Sequence, residues 1–214
     1  MKNRTKLLIC GIGFGNFYLR ALLNLKEDFE IAGILSRGSK ESKEYAKKYN
    51  IDLYESIEQL PVDIDIACVA IKTEVMGGEG EKIAIELMKR KINVILEQPI
   101  HYKNLLECFK VAQNNGVVFS VGDLYLYLEN VRKLLLFTKP LQEEIMEIDI
   151  ECSARMLFPV FHILVNILPF VQPICVEYST RNDNVNQIIL GKLGKTSFVF
   201  KINNEIEKII LIVI

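Results

Sequence analysis

Residues 6–16 read Lys6-Leu7-Leu8-Ile9-Cys10-Gly11-Ile12-Gly13-Phe14-Gly15-Asn16. Leu7 to Cys10 is a short apolar run, suited to a strand buried on both faces. Three glycines follow within five positions. Phe17, Leu19, Leu22 and Leu23 then recur at helical spacing between Phe14 and about Leu25. A strand, a glycine-rich turn and a helix in that order bring backbone N–H groups and a helix N-terminus to one place. Only glycine lets a bulky anion approach that closely, so the segment predicts a cradle for the pyrophosphate of a dinucleotide. Gly11, Gly13, Phe14, Gly15 and Asn16 are its candidate binding residues. The pattern departs from the usual one at its third glycine, where Asn16 stands, and Gly15 comes one place early.

Outward from this loop, apolar strands and amphipathic helices alternate. Strands are expected at Lys6–Cys10, Phe29–Leu35, Leu53–Tyr54, Ile64–Ile71, Ile92–Leu96 and Val117–Val121. Helices are expected from Phe14, after a cap at Ser39 or Ser42, from Gly80 to Arg90, and from Asn104 to about Asn114 with Gly116 as the C-terminal cap. This rhythm predicts an α/β fold, an N-terminal doubly wound parallel sheet of Rossmann type, over residues 1–121.

Residues 122–214 have a different rhythm. Tyr125–Phe137 and Ser153 to about Leu168 have helical character, the latter with a start as late as Pro159. Ile145–Cys152, Ile174–Ser179, Val185–Leu190, Ser197–Ile202 and Ile206–Ile214 have strand character. We expect an antiparallel meander beside one or two helices there. The apolar last strand needs a cover or a partner, which predicts a homodimer.

Composition excludes several classes. The chain has 214 residues, half of them hydrophobic, with 26 Lys and Arg against 27 Asp and Glu. A near-neutral chain exerts no global pull on nucleic acid or on membranes. Met156–Val171, the longest apolar segment, is broken by Pro159, His162, Asn166 and Pro169. It is too short to span a bilayer, and the N-terminus has no signal-peptide pattern, so a soluble cytoplasmic protein is expected. Five scattered cysteines without a CxxC read as buried reduced thiols. Two histidines with no neighbouring ligands predict no metal site. Of the two, His162 reads as a core or interface residue of an apolar helix.

The end of the second strand selects between cofactors. Leu35-Ser36-Arg37-Gly38-Ser39-Lys40 carries a guanidinium, two hydroxyls and an ammonium, and lacks the carboxylate that accepts from a ribose 2′-OH. Ser36, Arg37 and Ser39 therefore point to NADP(H), with a solvated basic turn as the alternative.

These residues resemble the glucose–fructose oxidoreductase and inositol dehydrogenase (Gfo/Idh/MocA) superfamily. More closely they resemble the thiazolinyl imine reductases of siderophore biosynthesis. The matching stretches are Gly11 to Leu19, Ile34 to Ser39, Gly77-Gly78-Glu79-Gly80, Val94 to His101, the Tyr125 region and Ser153 to Phe158. The resemblance implies reduction of a C=N bond, thiazoline to thiazolidine, at the expense of NADPH. The substrate is carried on a nonribosomal peptide synthetase carrier domain, which would be the partner. It implies that Lys72, Thr73, Glu97 and Gln98 border the cofactor and that Tyr125 donates the proton. Gln98 departs from the superfamily's lysine and from the histidine of the imine reductases, and an amide cannot act as an acid. His101, three residues on, is the other candidate donor, or else a surface residue opening the next helix. A sugar-type dehydrogenase and a non-catalytic NADP-binding relative are the alternative readings. By the resemblance the second domain is a shortened α+β open-sheet domain, about half the usual length.

Overall fold

The apolar runs of the first half become the strands of one sheet because each has two faces to bury. The structure, a computed structural model, describes residues 4–181, 186–206 and 209–214. It divides into two units, Met1–Gly122 and Asp123–Ile214. The first is built from β1 (Thr5–Cys10), α1 (Gly15–Leu23), β2 (Phe29–Leu35), α2 (Lys40–Tyr49), β3 (Leu53–Tyr54), β4 (Ile66–Val69), α3 (Gly80–Lys89), β5 (Asn93–Glu97), α4 (Tyr102–Asn115) and β6 (Phe119–Gly122). The six strands are parallel, in the order β3-β2-β1-β4-β5-β6. Side chains of β1 alternate between two cores. Leu8 and Cys10 pack with Leu87 and Met88 of α3 and Ala112 of α4, whereas Leu7 and Ile9 pack with Leu19 of α1 and Ala46 of α2. Helices thus cover both faces, and the strand order reverses between β1 and β4, where such sheets open a binding crevice.

Local chemistry sets the element ends. Ser39 caps α2 by accepting from the Ser42 backbone N–H, and Gly116 ends α4 in the left-handed region at φ 66°. β5 runs one residue past its expected end to Glu97, and the Gln98-Pro99 peptide that follows is cis.

The second unit comprises α5 (Glu129–Thr138), β7 (Glu147–Cys152), α6 (Leu157–Ile167), β8 (Ile174–Arg181), β9 (Asn186–Leu193), β10 (Thr196–Asn203) and β11 (Ile210–Val213). Three sequence expectations change here. The helix expected over Tyr125–Phe137 breaks at Leu128, whose extended ψ of 137° separates a single turn at Tyr125–Tyr127 from α5. The helix expected from Ser153 begins as a turn at Ala154–Met156, and Pro159 falls in the first turn of α6, where its missing N–H is harmless. Only β8, β9 and β10 form an antiparallel meander. β7 lies parallel beside β10, and β11 pairs antiparallel with β7, giving the order β11-β7-β10-β9-β8. The last strand skips across β7, a long-range pairing that no local signal records. Val185, expected to begin β9, and residues 207–208 of the expected last strand lie outside the described residues.

One face of this sheet packs Ile148, Ile150, Phe198 and Phe200 against Val160, Ile163 and Leu164 of α6. The apolar segment Met156–Val171 therefore gives this core one side of a helix, while Val165 and Phe170 stay exposed. Among the described residues no helix is long and apolar enough to cross a membrane.

Candidate functional site

Each glycine of the first loop has a separate physical reason. Gly11 sits at φ +80°, donates its N–H to the Leu35 carbonyl at 2.9 Å, and would press a Cβ to 2.8 Å from Ile71. Gly13 meets nothing within 4 Å, so it is the open point at which a ligand can reach the backbone. Gly15 would bring a Cβ to 2.9 Å from Ile9 of β1. Close helix–strand packing is the task of the usual third glycine, and Gly15 performs it one position early. Asn16 is thereby released to carry a side chain, and its Oδ1 is buried with no hydrogen-bond partner. Phe14, at the N-cap of α1, meets Phe17 in a tilted ring contact at 5.0 Å and makes no capping bond.

A cavity of about 790 Å³ opens beside this loop, bordered by Gly11, Ser36, Arg37, Ser56, Lys72 and Glu79. Ser36 is anchored through its N–H to the Tyr54 carbonyl at 2.9 Å. Arg37 is exposed and donates to Glu79 Oε2 at 2.7 Å. Lys82 approaches the other oxygen of Glu79 at 3.4 Å. Ser39 spends its hydroxyl oxygen on the α2 cap. Lys72 and Thr73 part company at the cavity. Lys72 is exposed and lines it, while Thr73 is buried and donates its hydroxyl to the Pro99 carbonyl. Thr73 thus belongs to the wall, tying the end of β4 to the loop after β5.

Gly78 and Gly80, ahead of and at the start of α3, are close-packed. A Cβ on Gly78 would lie 2.0 Å from the Lys72 carbonyl oxygen, and one on Gly80 2.5 Å from that of Ile71. Their backbones wrap the end of β4 and fix Lys72.

At the end of β5, Glu97 is buried and accepts a hydrogen bond from the Tyr18 hydroxyl. Burial, and next the carboxylate, drive the Tyr18 pKa well upward, so this phenol keeps its proton. Gly122 leaves the room: a Cβ there would stand 2.3 Å from Glu97 Oε1 and 2.7 Å from the Tyr18 oxygen. Sequence reading noted Tyr18 only as part of a matching stretch and missed this pair, which joins residues far apart in the chain. Gln98 Oε1 is buried without a partner. His101 is exposed and N-caps α4, its Nδ1 accepting from the Lys103 N–H at 3.3 Å. That nitrogen serves the helix start, the alternative weighed for His101, and an accepting Nδ1 leaves the ring proton on Nε2.

The second unit holds its own polar cluster. Asp123, with a side chain 7% exposed, contacts Nδ1 of His162 on α6 and accepts from the Tyr125 N–H at 3.0 Å. The Tyr125 hydroxyl points to the sulfur of Met156 at 3.5 Å, on the wall of a cavity of about 470 Å³ otherwise lined by apolar residues and Asn130. His162 therefore has a carboxylate partner. The only sequence signal was an aspartate directly after a strand end. Four cysteines are buried, as expected, while Cys175 is exposed on β8. No cluster that could hold a metal occurs among the described residues.

The first unit thus fits a dinucleotide on its own geometry. It offers an open glycine at a helix start, a crevice at the strand-order reversal, and two buried amide oxygens, on Asn16 and Gln98, with unmet bonding capacity. Comparison with known proteins agrees. Curated proteins return no match. Among solved structures, GenD2 from gentamicin A biosynthesis, in complex with NAD, superposes with a TM-score of 0.81 at 13% identity, covering 100% of this chain and 70% of that one. The myo-inositol 2-dehydrogenase of Lactobacillus plantarum gives 0.76 at 13%, covering 94% and 70%. The WlbA dehydrogenase of Chromobacterium violaceum, in complex with NADH and UDP-GlcNAcA, gives 0.73 at 13%, covering 95% and 68%. At such identity these similarities speak for the fold alone. A family model described as "Oxidoreductase family, NAD-binding Rossmann fold" matches residues 5–123, more than half of the chain. The chain belongs to the Gfo/Idh/MocA oxidoreductase family.

Proposed function

We propose that the protein is an NADPH-dependent reductase of a C=N bond, the thiazoline of an intermediate held on a nonribosomal peptide synthetase carrier domain. The observation that carries this reading is Gln98. The buried amide oxygen at the end of β5 can accept a hydrogen bond but cannot take a proton from a substrate hydroxyl. Reduction of an imine needs no base of that kind. It needs a donor to the nitrogen on which negative charge develops, worth about 10²–10⁴-fold in rate.

The nicotinamide, when bound, supplies the hydride. This chain's residues bind and orient. Gly11, Gly13 and the N-terminus of α1 hold the pyrophosphate. Ser36 and Arg37, with the α2 N-terminus, hold the 2′-phosphate of NADP(H). Asn16 and Gln98 accept from donors on the cofactor or substrate. Tyr125 is the proton donor: its phenolic O–H can donate to the developing charge, and Asp123 braces its backbone. The protein acts as a soluble, cytoplasmic homodimer, with neither nucleic acid nor membrane as partner.

One observation favours a second reading. His162 against Asp123 is an oriented imidazole able to accept a proton, which suits oxidation of an alcohol, a sugar or polyol substrate. The test mixes protein and NADPH with a thiazoline thioester mimic and follows the loss of nicotinamide absorbance. A parallel run supplies NAD(P)⁺ and polyols. We expect turnover of the mimic, a loss of about 10²-fold or more in Tyr125→Phe with nucleotide binding intact, and little change in His162→Gln. Polyol oxidation abolished by His162→Gln would replace the first reading by the second. Nucleotide binding without either reaction would mark a non-catalytic relative.

A further inference from the structure

We propose that Glu79 is the specificity-determining residue of the nucleotide site, a carboxylate that competes with a ribose 2′-phosphate for Arg37. The inference rests on the reading of Arg37 as the 2′-phosphate ligand. Arg37 follows β2 and Glu79 precedes α3, yet both border the same cavity and their charged atoms meet at 2.7 Å. Glu79 also attracts Lys82 at 3.4 Å. One carboxylate therefore collects two cations at the mouth of the cavity where an adenosine ribose would lie.

The balance follows from exposure and charge. The side chains of Arg37 and Glu79 are 86% and 49% exposed, so water screens their attraction and the guanidinium can be drawn off at small cost. A phosphate monoester offers up to two negative charges and three oxygens, and a guanidinium grips it through two parallel N–H bonds. It therefore wins Arg37, but Glu79 stays beside the new anion and repels it. A ribose that lacks the phosphate presents hydroxyls instead, and a carboxylate is the group that accepts from them. Glu79 thus opposes NADP(H) and favours NAD(H), while Arg37 does the reverse. The pair sets the ratio between them, in a loop that lacks the usual acidic residue at the end of β2.

The experiment titrates the full chain with adenosine 5′-phosphate and adenosine 2′,5′-bisphosphate by calorimetry, ligands that differ only in the 2′-phosphate. It compares the native chain with Glu79→Gln, Arg37→Gln and the double variant. The pair is exposed, so thermal midpoints are expected to stay within a few degrees. Glu79→Gln is expected to tighten the bisphosphate about five- to tenfold, to leave the monophosphate unchanged or weaker, and to lose its effect at high salt. In the Arg37→Gln background the gain is expected to shrink, because the carboxylate no longer has a shared cation to withhold. If Glu79→Gln moves both ligands equally, or its gain persists in full without Arg37, the inference is overturned while Arg37 can still be the phosphate ligand. If the native chain gains nothing from the 2′-phosphate and Arg37→Gln changes nothing, both the NADP(H) reading and the inference fall.

Discussion

Gly77 and Gly78 are neighbours that a methyl group would treat differently. Gly77 has φ +74° and open space around its missing Cβ, so Gly77→Ala is expected to cost about 1–2 kcal/mol of left-handed strain and no clash. Gly78 would drive a Cβ to 2.0 Å from the rigid Lys72 carbonyl. Gly78→Ala is therefore expected to cost at least about 3 kcal/mol, or to displace the loop that fixes Lys72. Urea unfolding of the two variants checks the order, and the idea fails if Gly77→Ala is the worse. Buried thiols give a pH dependence at the same scale. Burial, and next the Glu97 carboxylate, push the Cys68 thiol up to about 12, and burial pushes Cys152 up to about 11. In the unfolded chain a thiol ionises near pH 8.5. Above that the unfolded state holds fewer protons than the folded one, so stability falls as pH rises. The contribution is complete below about pH 8.5 and is lost on the way to about 11–12, at about 1.4 kcal/mol per pH unit for each thiol. Cys152→Ala is expected to start less stable and to show a shallower alkaline decline, and an unchanged slope in urea midpoints between about pH 8 and pH 10.5 would refute this.

At the scale of elements, α2 lets capping be separated from ligand binding. Ser39 holds the first turn by accepting from the Ser42 N–H. Ser39→Ala is expected to cost about 1 kcal/mol, whereas Ser39→Asp keeps a capping oxygen and the stability. The aspartate also sets a negative charge beside Arg37, so NADPH binding is expected to weaken about tenfold or more and NADH binding much less. Equal loss for both nucleotides would place the 2′-phosphate elsewhere. Elements of this kind were largely legible in the sequence. β2 and β3 fell where periodicity put them, and Ser39 and Gly116 capped as their chemistry demands. Placement was less legible. A run of apolar residues does not say that Leu128 interrupts a helix, or that β11 crosses β7 to find its partner. The candidate site divides the same way. Its loop glycines are local and were readable, but Tyr18 with Glu97, Arg37 with Glu79, and Asp123 with His162 each join distant positions. Such pairs exist only once the strands are in order, and Lys72 and Thr73, adjacent in sequence, separate into cleft and wall for the same reason.

At the scale of the whole molecule, α5 and α6 pack with one face of the five-stranded sheet, and alternate strand side chains form its other face. Register carries a row across it: Ile212 lies beside Asp149, Asp149 beside Val199, Val199 beside Leu190, and Leu190 beside Tyr178. Ile212 and Tyr178 are half exposed, and Ile210 and Ile214 project near the same edge. Apolar residues aligned on one sheet face call for a partner surface, and a second copy of the same face is self-complementary under a two-fold axis. Asp149 and Lys201, paired at 2.6 Å within the face, would keep their charges satisfied when covered. This differs from pairing along the free edge of β11, the route that the last strand alone suggested. Face and edge make different demands. Val199→Glu with Leu190→Glu inserts two charges into the centre of the face and is expected to yield monomers with native circular dichroism. Val213→Pro removes a backbone donor from the free edge of β11 and leaves the row untouched, and the dimer is expected to persist if the face holds it. Sedimentation equilibrium at micromolar concentration measures both. A native chain that sediments as a monomer sinks the dimer. A dimer that survives the paired glutamates but not the proline moves the contact to the edge, and a glutamate at the exposed Val62 of the first unit serves as the neutral control.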